Sequence, residues 1–525
     1  MRVFTFFTGL ILISGALYSQ PHSFPLNNDL QQVILSSSPD TTFNFHQSVR
    51  PFTEDELPFL NGHLLRLTVE NKGKFLDALL NSRPSDYRGD ELSLELSPIV
   101  QAMSYVGTSN DSSDGGSWLG IGAAARLTIG KKLAVGGDYT YSKLDYPSYV
   151  QAFSRQWGVV PGIGAIDSTG QTNHYYNFYL SYSPAEFVNI EVGRGKHFIG
   201  HGYRSLLLSD NSNSYPYARI QLKLWKFKYQ VLYSAYRQIQ GVESSPEEYR
   251  SKYSTSNYLG MNFGKHFQAG LFQSIIWQGQ NGDFNRGFDV NYLNPVVFMR
   301  PVEFSVGSPD NVLLGVDLAY QFLKKYTIYS QVVLDEFLLE EIRAGNGWWA
   351  NKYGIQLGFK AIDLFNIKGF AIQIEHNQVR PFTYSHNDVI QNYGHFNQAL
   401  AHPLGSNFYE GVCRLTYTKK RWLFAAHFVE ATQGLDPLGK NFGGDIFKSN
   451  TTRESGFGNY TGQGLSSRLS YQQVKASYLV NPASRLMFEI GVTNRQRITH
   501  ESQSEFNQFI QVGFKTAIFN QYLDF

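Results

Sequence analysis

Three short stretches set the pattern of the chain. In ARIQLKLW (218–225), Ala218, Ile220, Leu222 and Leu224 fall on one side of an extended strand, and Arg219, Gln221 and Lys223 on the other. In GFAIQIEH (369–376), Phe370, Ile372 and Ile374 oppose Ala371, Gln373 and Glu375. In NVLLGVDLAY (311–320), Val312, Leu314, Val316, Leu318 and Tyr320 oppose Gly315 and Asp317. Side chains alternate across a strand, so this period of two predicts strands with an apolar side and a polar side. Eighteen such segments are expected: 92–106, 117–129, 132–145, 174–183, 186–199, 217–225, 227–239, 256–264, 267–279, 311–322, 326–341, 351–362, 368–380, 408–418, 420–433, 465–480, 485–499 and 505–522.

The connections alternate in length. Short turns are expected at Gly130–Lys132, Ser183–Ala185, Trp225–Lys226, Gly264–His266, Leu323–Lys325, Leu364–Ile367, Thr418–Lys420 and Asn481–Ser484. Longer segments separate them, around 107–116, 146–173, 200–216, 240–255, 280–310, 342–350, 381–407 and 434–464. Short turns at one end and long loops at the other are the signature of an outer-membrane barrel. The fold class expected is therefore all-β: a transmembrane antiparallel outer-membrane β-barrel of about 18 strands, with a small, partly helical N-terminal periplasmic segment. An even strand number puts both barrel ends in the periplasm, and the last strand is expected to close on Phe525. A soluble β-sandwich or β-propeller would share the period of two but not the asymmetry of the turns.

Composition sharpens this reading. The 525 residues hold 33 Tyr, 40 Phe and 48 Gly, which suits sheets with many turns and interfacial aromatic rings. With 45 Lys and Arg against 43 Asp and Glu, the chain lacks the basic excess that a nucleic-acid partner requires. MRVFTFFTGLILISGALYSQ carries Arg2, then an apolar core, then small and polar residues, and is expected to be a cleaved secretory signal ending near Ser19–Gln20. No Cys stands at its end to carry a lipid anchor. Cys413 is the one cysteine, so no disulfide framework is expected. No later uncharged apolar run reaches the ~18 residues of a spanning helix. The expected division is 1–20 signal, 21–90 N-terminal periplasmic segment, with short helices at TEDELPFL (53–60) and GKFLDALLNS (73–82), and 91–525 barrel with long extracellular loops.

The run GRGKHFIGHGYRSLLLSDNSNSYPY (193–217) resembles a segment that follows an early strand in the capsule-assembly Wzi-type barrels. VEFSVGSPDNVLLGVDL (302–318) and NQALAHPLGSNFYE (397–410) look like later landmarks of the same group, and within it the chain is most similar to gliding-motility RemB-type proteins. The resemblance covers roughly 90–525. It implies an eighteen-stranded barrel without enzymatic activity, in contact with outer-membrane lipid. It implies a role at the cell surface, binding or organising exopolysaccharide or supporting motility or adhesion. A porin or specific channel, and a protein-binding component of a motility or secretion assembly, are the competing functions.

Gly193, Gly195, Gly200 and Gly202 match neither a P-loop nor a dinucleotide-binding turn. His197 and His201 straddle a strand end and a glycine-rich loop, which does not suit a shared metal, and no cofactor is expected. The stretch is expected to be an inward-folded rim or plug loop. Arg194, Lys196 and Arg204 would pair with carboxylates of neighbouring strands, with His197, His201 and Asp210 beside them and the apolar SLLLSD (205–210) over the mouth. Glu303, Asp310, Asp335, Glu336, Glu340 and Glu341 lie at outer strand ends. Glu340 and Glu341 would point to opposite faces of a strand, so they cannot form a glycosidase pair, and no G-x-S-x-G elbow is present. Flat rings beside polar groups suit sugars, which stack and accept hydrogen bonds together. The candidate saccharide contacts are Arg286, Asp289, Tyr292, Arg300, Glu303, Trp348, Trp349, Arg380, Tyr384, His386, His395 and His402.

Overall fold

The computed structural model describes residues 22–35, 46–53, 56, 80–81, 85–89, 91–110, 112–165, 172–281, 284–293, 310–336, 338–500 and 503–525. The signal segment and most of the two helices expected over 53–60 and 73–82 lie outside these residues, as do Arg300 and Glu303.

Eighteen long strands form one antiparallel sheet. They are β1 (Leu92–Ser109), β2 (Ser112–Ile129), β3 (Leu133–Leu144), β4 (Thr172–Ala185), β5 (Val188–Gly195) and β6 (Tyr215–Leu224). Then come β7 (Phe227–Gln238), β8 (Arg250–Phe263), β9 (Phe267–Gln278), β10 (Asn311–Phe322), β11 (Tyr326–Glu336) and β12 (Lys352–Ile362). The last six are β13 (Phe370–Val379), β14 (Phe408–Lys419), β15 (Trp422–Leu435), β16 (Leu465–Asn481), β17 (Leu486–Thr499) and β18 (Gln503–Thr516). Each strand pairs with the next, and β18 pairs with β1 (Asn507 opposite Ser109, Lys515 opposite Gln101), so the sheet closes without a free edge.

The period of two places the side chains as the pattern requires. On β6, Arg219 and Gln221 are buried inside. On β10 and β13, Asp317 and Glu375 point inward while Leu318, Tyr320 and Ile374 stand exposed outside. An apolar outer face around a polar interior is the arrangement of a barrel seated in lipid. Among the described residues no helix is long and apolar enough to cross a membrane. Exposed Phe187, Trp225, Phe365 and Trp422 gather at the short-turn end, where amphipathic rings suit a lipid–water boundary.

Several boundaries depart from the expectation. The long segment expected around 107–116 is a tight turn, since β1 runs on to Ser109 and pairs it with Ser112 at the start of β2, and β8 begins at Arg250 instead of 256. A register shift between Tyr182 and Ala185 carries β4 past the turn expected at 183–185. The segment expected to be a strand over 186–199 leaves the wall after Gly195, and Phe198–Ile199 pairs inside with Val49–Arg50. The strand expected over 326–341 ends at Glu336, and Leu339–Ala344 is a short helix, so Glu340 and Glu341 occupy a helical first turn. The last strand ends at Thr516 instead of running on to 522: Ser93–Leu96 at the lower end of β1 pairs with Ser85–Arg88, and Ala517–Phe525 turns into the lumen.

The lumen is filled by the chain itself. From the short-turn end, the described parts of 22–56 enter it. Asn27 Oδ1 accepts from Leu30 N–H at 3.0 Å to cap α1 (Asn28–Leu35), and Asp29 meets Lys475 at 2.5 Å. Glu56 sits between Lys228 (2.6 Å) and Lys223 (3.3 Å). From the long-loop end, residues 196–214 fold inward. Leu206, Leu207 and Leu208 have no exposed surface. Their seat is made by two glycines: a Cβ at Gly315 would lie 2.3 Å from Leu207 Cδ2, and one at Gly354 3.2 Å from Leu206 Cδ1. Tyr384 and Tyr393 donate to the Leu206 and Leu207 carbonyls at 2.7 and 2.6 Å.

At the centre, the Arg204 guanidinium bridges Glu410 on β14 (2.9 Å) and Asp524 of the last segment (3.0 Å). His402 holds Glu410 at 2.7 Å, and His427 holds Asp524 at 2.7 Å. Tyr203 O–H donates to Asp524 at 3.0 Å. Glu375 accepts the backbone N–H groups of Tyr203 and Arg204 and the hydroxyl of Tyr329. Removing one member of such a buried set strands the others. Arg204→Ala is expected to cost about 3–5 kcal/mol, read as a lower midpoint in heat-modifiable gel migration. Arg204→Lys should recover only part, because a single ammonium cannot span both carboxylates.

The interior also sets a pH dependence. Burial holds His46 and His386 down at about 4, reinforced by Lys228 and Lys352 respectively. Burial likewise keeps His402 below its ordinary value, against the pull of Glu410. A base whose folded pKa lies below its unfolded value of about 6.5 stabilises the fold above that pH and ceases to do so as protons bind. For Asp524, burial acts upward, but Arg204 and His427 outweigh it and hold the carboxyl well below the usual range. Its contribution is lost only in stronger acid. The unfolding midpoint is therefore expected to fall steadily from pH 6.5 to 4 and further below 4, and a flat profile across that range contradicts this account.

Candidate functional site: a vestibule at the long-loop end

A cavity of about 640 Å³ opens among the long loops. Its first wall is α2 (Ser148–Trp157), in the loop between β3 and β4. Tyr149, Phe153 and Trp157 recur every four residues, which aligns three rings along one face. Pro147 precedes the helix, and Gly158 ends it in the left-handed conformation at φ 66°. Its second wall is the loop after β15. Asp436 Oδ1 accepts the N–H groups of Phe442 (2.8 Å) and Gly444 (3.2 Å), and its Oδ2 accepts from Asp445 N–H and Lys448 Nζ (both 3.3 Å). That rigid turn carries Phe447 to 5.7 Å from the Trp157 ring. Leu438, wholly exposed, stands at its tip.

The floor is the last segment of the sequence. The Phe525 ring lies 4.7 Å from that of Phe153, tilted by 50°, Arg495 Nε donates to the Phe525 carbonyl at 2.9 Å, and Tyr149 O–H donates to Leu523 O at 2.9 Å. Tyr522, anchored to Asp210 at 2.8 Å, separates the vestibule from a smaller lumenal cavity of about 200 Å³ and lines both. Arg495 and Arg497 on β17 and Glu505 on β18 complete the wall. Burial raises the Asp445 carboxyl, against the pull of a hydrogen bond from Phe447 N–H. The vestibule thus offers flat rings beside fixed charges and carbonyls, which is the chemistry of a saccharide contact.

The residues expected from sequence are distributed differently. Arg194 pairs across strands with outward-facing Phe178 and lies over the Tyr176 ring at 4.7 Å, on the outer face and away from lumenal carboxylates. Lys196 donates to the carbonyls of Gly162 (2.6 Å) and Asp210 (3.2 Å), not to carboxylates. Of the three cations, Arg204 alone meets acids. Burial lowers the Lys196 ammonium to about 8, against the pull of Asp210. His197 meets Tyr215 O–H at 3.3 Å, whereas His201 lies between Gln268 (2.6 Å) and Asp317 (2.9 Å), so the two imidazoles serve different partners. Among the described residues no group of three or more potential ligands is arranged for a metal.

Arg286, Asp289 and Tyr292 do come together. Arg286 bridges Asp289 and Asp310 at 2.8 Å each, and Tyr292 donates to Asp310 at 2.7 Å, beneath a ring cluster with Trp277. Trp348 and Trp349 lie 6.3 Å apart, with Arg453 over Trp349 at 4.2 Å. Arg380 donates to the carbonyls of Asn351 (2.8 Å) and Asn459 (3.2 Å), and His386 accepts from Asp388 N–H at 3.2 Å. Tyr384, His395 and His402 are buried in the lumenal filling and cannot reach a ligand from outside. Asp335 caps the Tyr384 N–H at 2.7 Å, while Glu336 lies 3.3 Å from Lys352.

The vestibule residues were not among the expected contacts. The four-residue spacing of Tyr149, Phe153 and Trp157 was available in SYVQAFSRQW, as was the alternation of Arg495 and Arg497. Nothing local signalled that these two stretches and Phe525 meet.

No family model matches the chain, and no curated protein matches it. Solved structures do. Wzi of Escherichia coli, an outer-membrane protein involved in group 1 capsule assembly and a carbohydrate-binding β-barrel, is similar over 94% of this chain and 100% of its own, at 12% identity and a TM-score of 0.53. OccK8 (OprE) of Pseudomonas aeruginosa covers 80% of this chain and 97% of its own at 8% identity with a TM-score of 0.42. OprD of the same organism covers 80% and 94% at 10% identity with a TM-score of 0.41. At these identities the Wzi similarity speaks for the fold: a closed eighteen-strand barrel of the outer-membrane kind.

Proposed function

We propose that this protein is a non-enzymatic outer-membrane barrel that binds a surface polysaccharide in the vestibule. Its short-turn end would face the periplasm and its long loops the exterior. The observation that carries the reading is the pairing of a filled lumen with an open, ring-lined vestibule. Tyr522, Asp524 and Arg204 occupy the path that a solute would take, so the wall serves as a frame for a surface site. The carbohydrate-binding barrel Wzi, similar over the whole of its length, supports the same reading.

A channel would differ in one measurable property. In planar bilayers the purified protein is expected to give no stable conductance steps, and a steady porin-like current would overturn the reading. Binding is checked with polysaccharide extracted from the surface of cells that make the protein. Trp157→Ala and Phe447→Ala, which remove facing rings, should each weaken capture about tenfold or more. Trp348→Ala, on a separate ring cluster, should leave it within about twofold.

A further inference from the structure

Within the vestibule one cation is left without a full set of partners. Arg495 and Arg497 are two apart on β17, so both point inward. Arg495 is fully engaged: it donates to the Phe525 carbonyl (2.9 Å), Glu505 Oε2 (3.1 Å) and Asn507 Oδ1 (3.3 Å), and lies over the Tyr149 ring at 4.4 Å. Lys448 is engaged as well, by Asp436 (3.3 Å) and the Lys440 carbonyl (3.0 Å). Directly across from Arg497 on β18 stands Glu505, but its carboxylate is the one taken by Arg495. Arg497 Nε is buried with no hydrogen-bond partner among the described residues.

A buried N–H of a guanidinium without an acceptor is costly, and an incoming acceptor relieves that cost. The fork of the guanidinium fits a planar carboxylate through two parallel bonds, which a hydroxyl cannot supply. The acids of the lining do not compete equally. Asp436 is saturated by three backbone N–H groups and Lys448, and Glu505 gives its Oε2 to Arg495 while its half-exposed side chain meets solvent. Asp445 belongs to the loop wall and accepts from Phe447 N–H at 2.9 Å.

Resting on the saccharide-binding reading above, we infer that the vestibule takes an acidic saccharide, a uronic acid unit whose carboxylate is gripped by Arg497 while its ring face lies against the aromatic wall. Arg497 is then a specificity determinant, and the rings supply binding common to acidic and neutral sugars.

The test uses the assembled full-length protein and two probes, the extracted surface polysaccharide and polygalacturonate, each before and after carbodiimide–borohydride reduction of its carboxyl groups. The wild-type protein should bind at least one acidic form about tenfold or more tightly than its reduced counterpart. Arg497→Gln should abolish that difference while leaving binding of the reduced form within about twofold, and Arg497→Lys should restore it in part. Equal binding of acidic and reduced forms by the wild type overturns the acidic assignment and leaves saccharide binding standing. An acidic preference that survives Arg497→Gln overturns the role of Arg497. Binding of no form by the wild type overturns both readings. The wild-type comparison decides the ligand class even where a variant fails to assemble.

Discussion

An eighteen-strand barrel encloses more space than its own wall side chains can fill, and the rest of this structure follows from that constraint. The wall satisfies its backbone by closing on itself, but its inner face presents Glu191, Arg219, Asp317, Glu375, Glu410 and Glu489, all buried. Such groups need either water or partners. Here the chain supplies the partners from its own segments: the described residues 22–35, 46–53 and 56 from the short-turn end, 196–214 from the long-loop end, and 517–525 threading between them. Arg204 is where the wall, the infolded loop and the last segment meet, through Glu410 and Asp524.

This filling separates a packed interior from an open vestibule, and the two share a part. The last segment touches Asn27 and Asn28 through Phe519 O and Asn520 Oδ1, meets Arg204 through Asp524, and ends as the Phe525 floor of the vestibule. The segment that packs the lumen is therefore also the segment that shapes the vestibule. The wall is a rigid mount on which side chains from α2, the Asp436 turn and the upper end of β17 converge around the vestibule.

How much of this was legible in the chain varies with the range of the interaction responsible. The faces of β6, β10 and β13 were readable because alternation is local: Arg219, Asp317 and Glu375 point inward as their spacing dictates. Seven of the eight tight turns were close for the same reason, and the eighth moved because a bulge at Tyr182–Ala185 adds residues to one strand. Arg194 and Lys196 depart from the expected carboxylate pairing because the point at which β5 leaves the wall decides which way each side chain faces. That point is set by pairing of Phe198–Ile199 with Val49–Arg50, almost 150 residues away in the chain. Tyr384, His395 and His402 carry the residue types of a sugar site but serve as lumenal packing, and composition cannot distinguish a ring that faces solvent from one that faces Leu206.

That this is a closed antiparallel barrel with unequal ends is legible along the chain, since period-two alternation and turn length are properties of neighbouring residues. Tertiary structure alone decided what occupies the lumen and where a ligand can sit. The last segment shows why. Read along the chain, FNQFIQVGFKTAIFNQYLDF continues a strand to its final aromatic residue. In the fold, Ser85–Arg88 takes the edge it would have paired with, and Asp524 finds Arg204 and His427 inside. Competition between two partners for one strand edge, and between water and a buried guanidinium for one carboxylate, has no signature in local sequence.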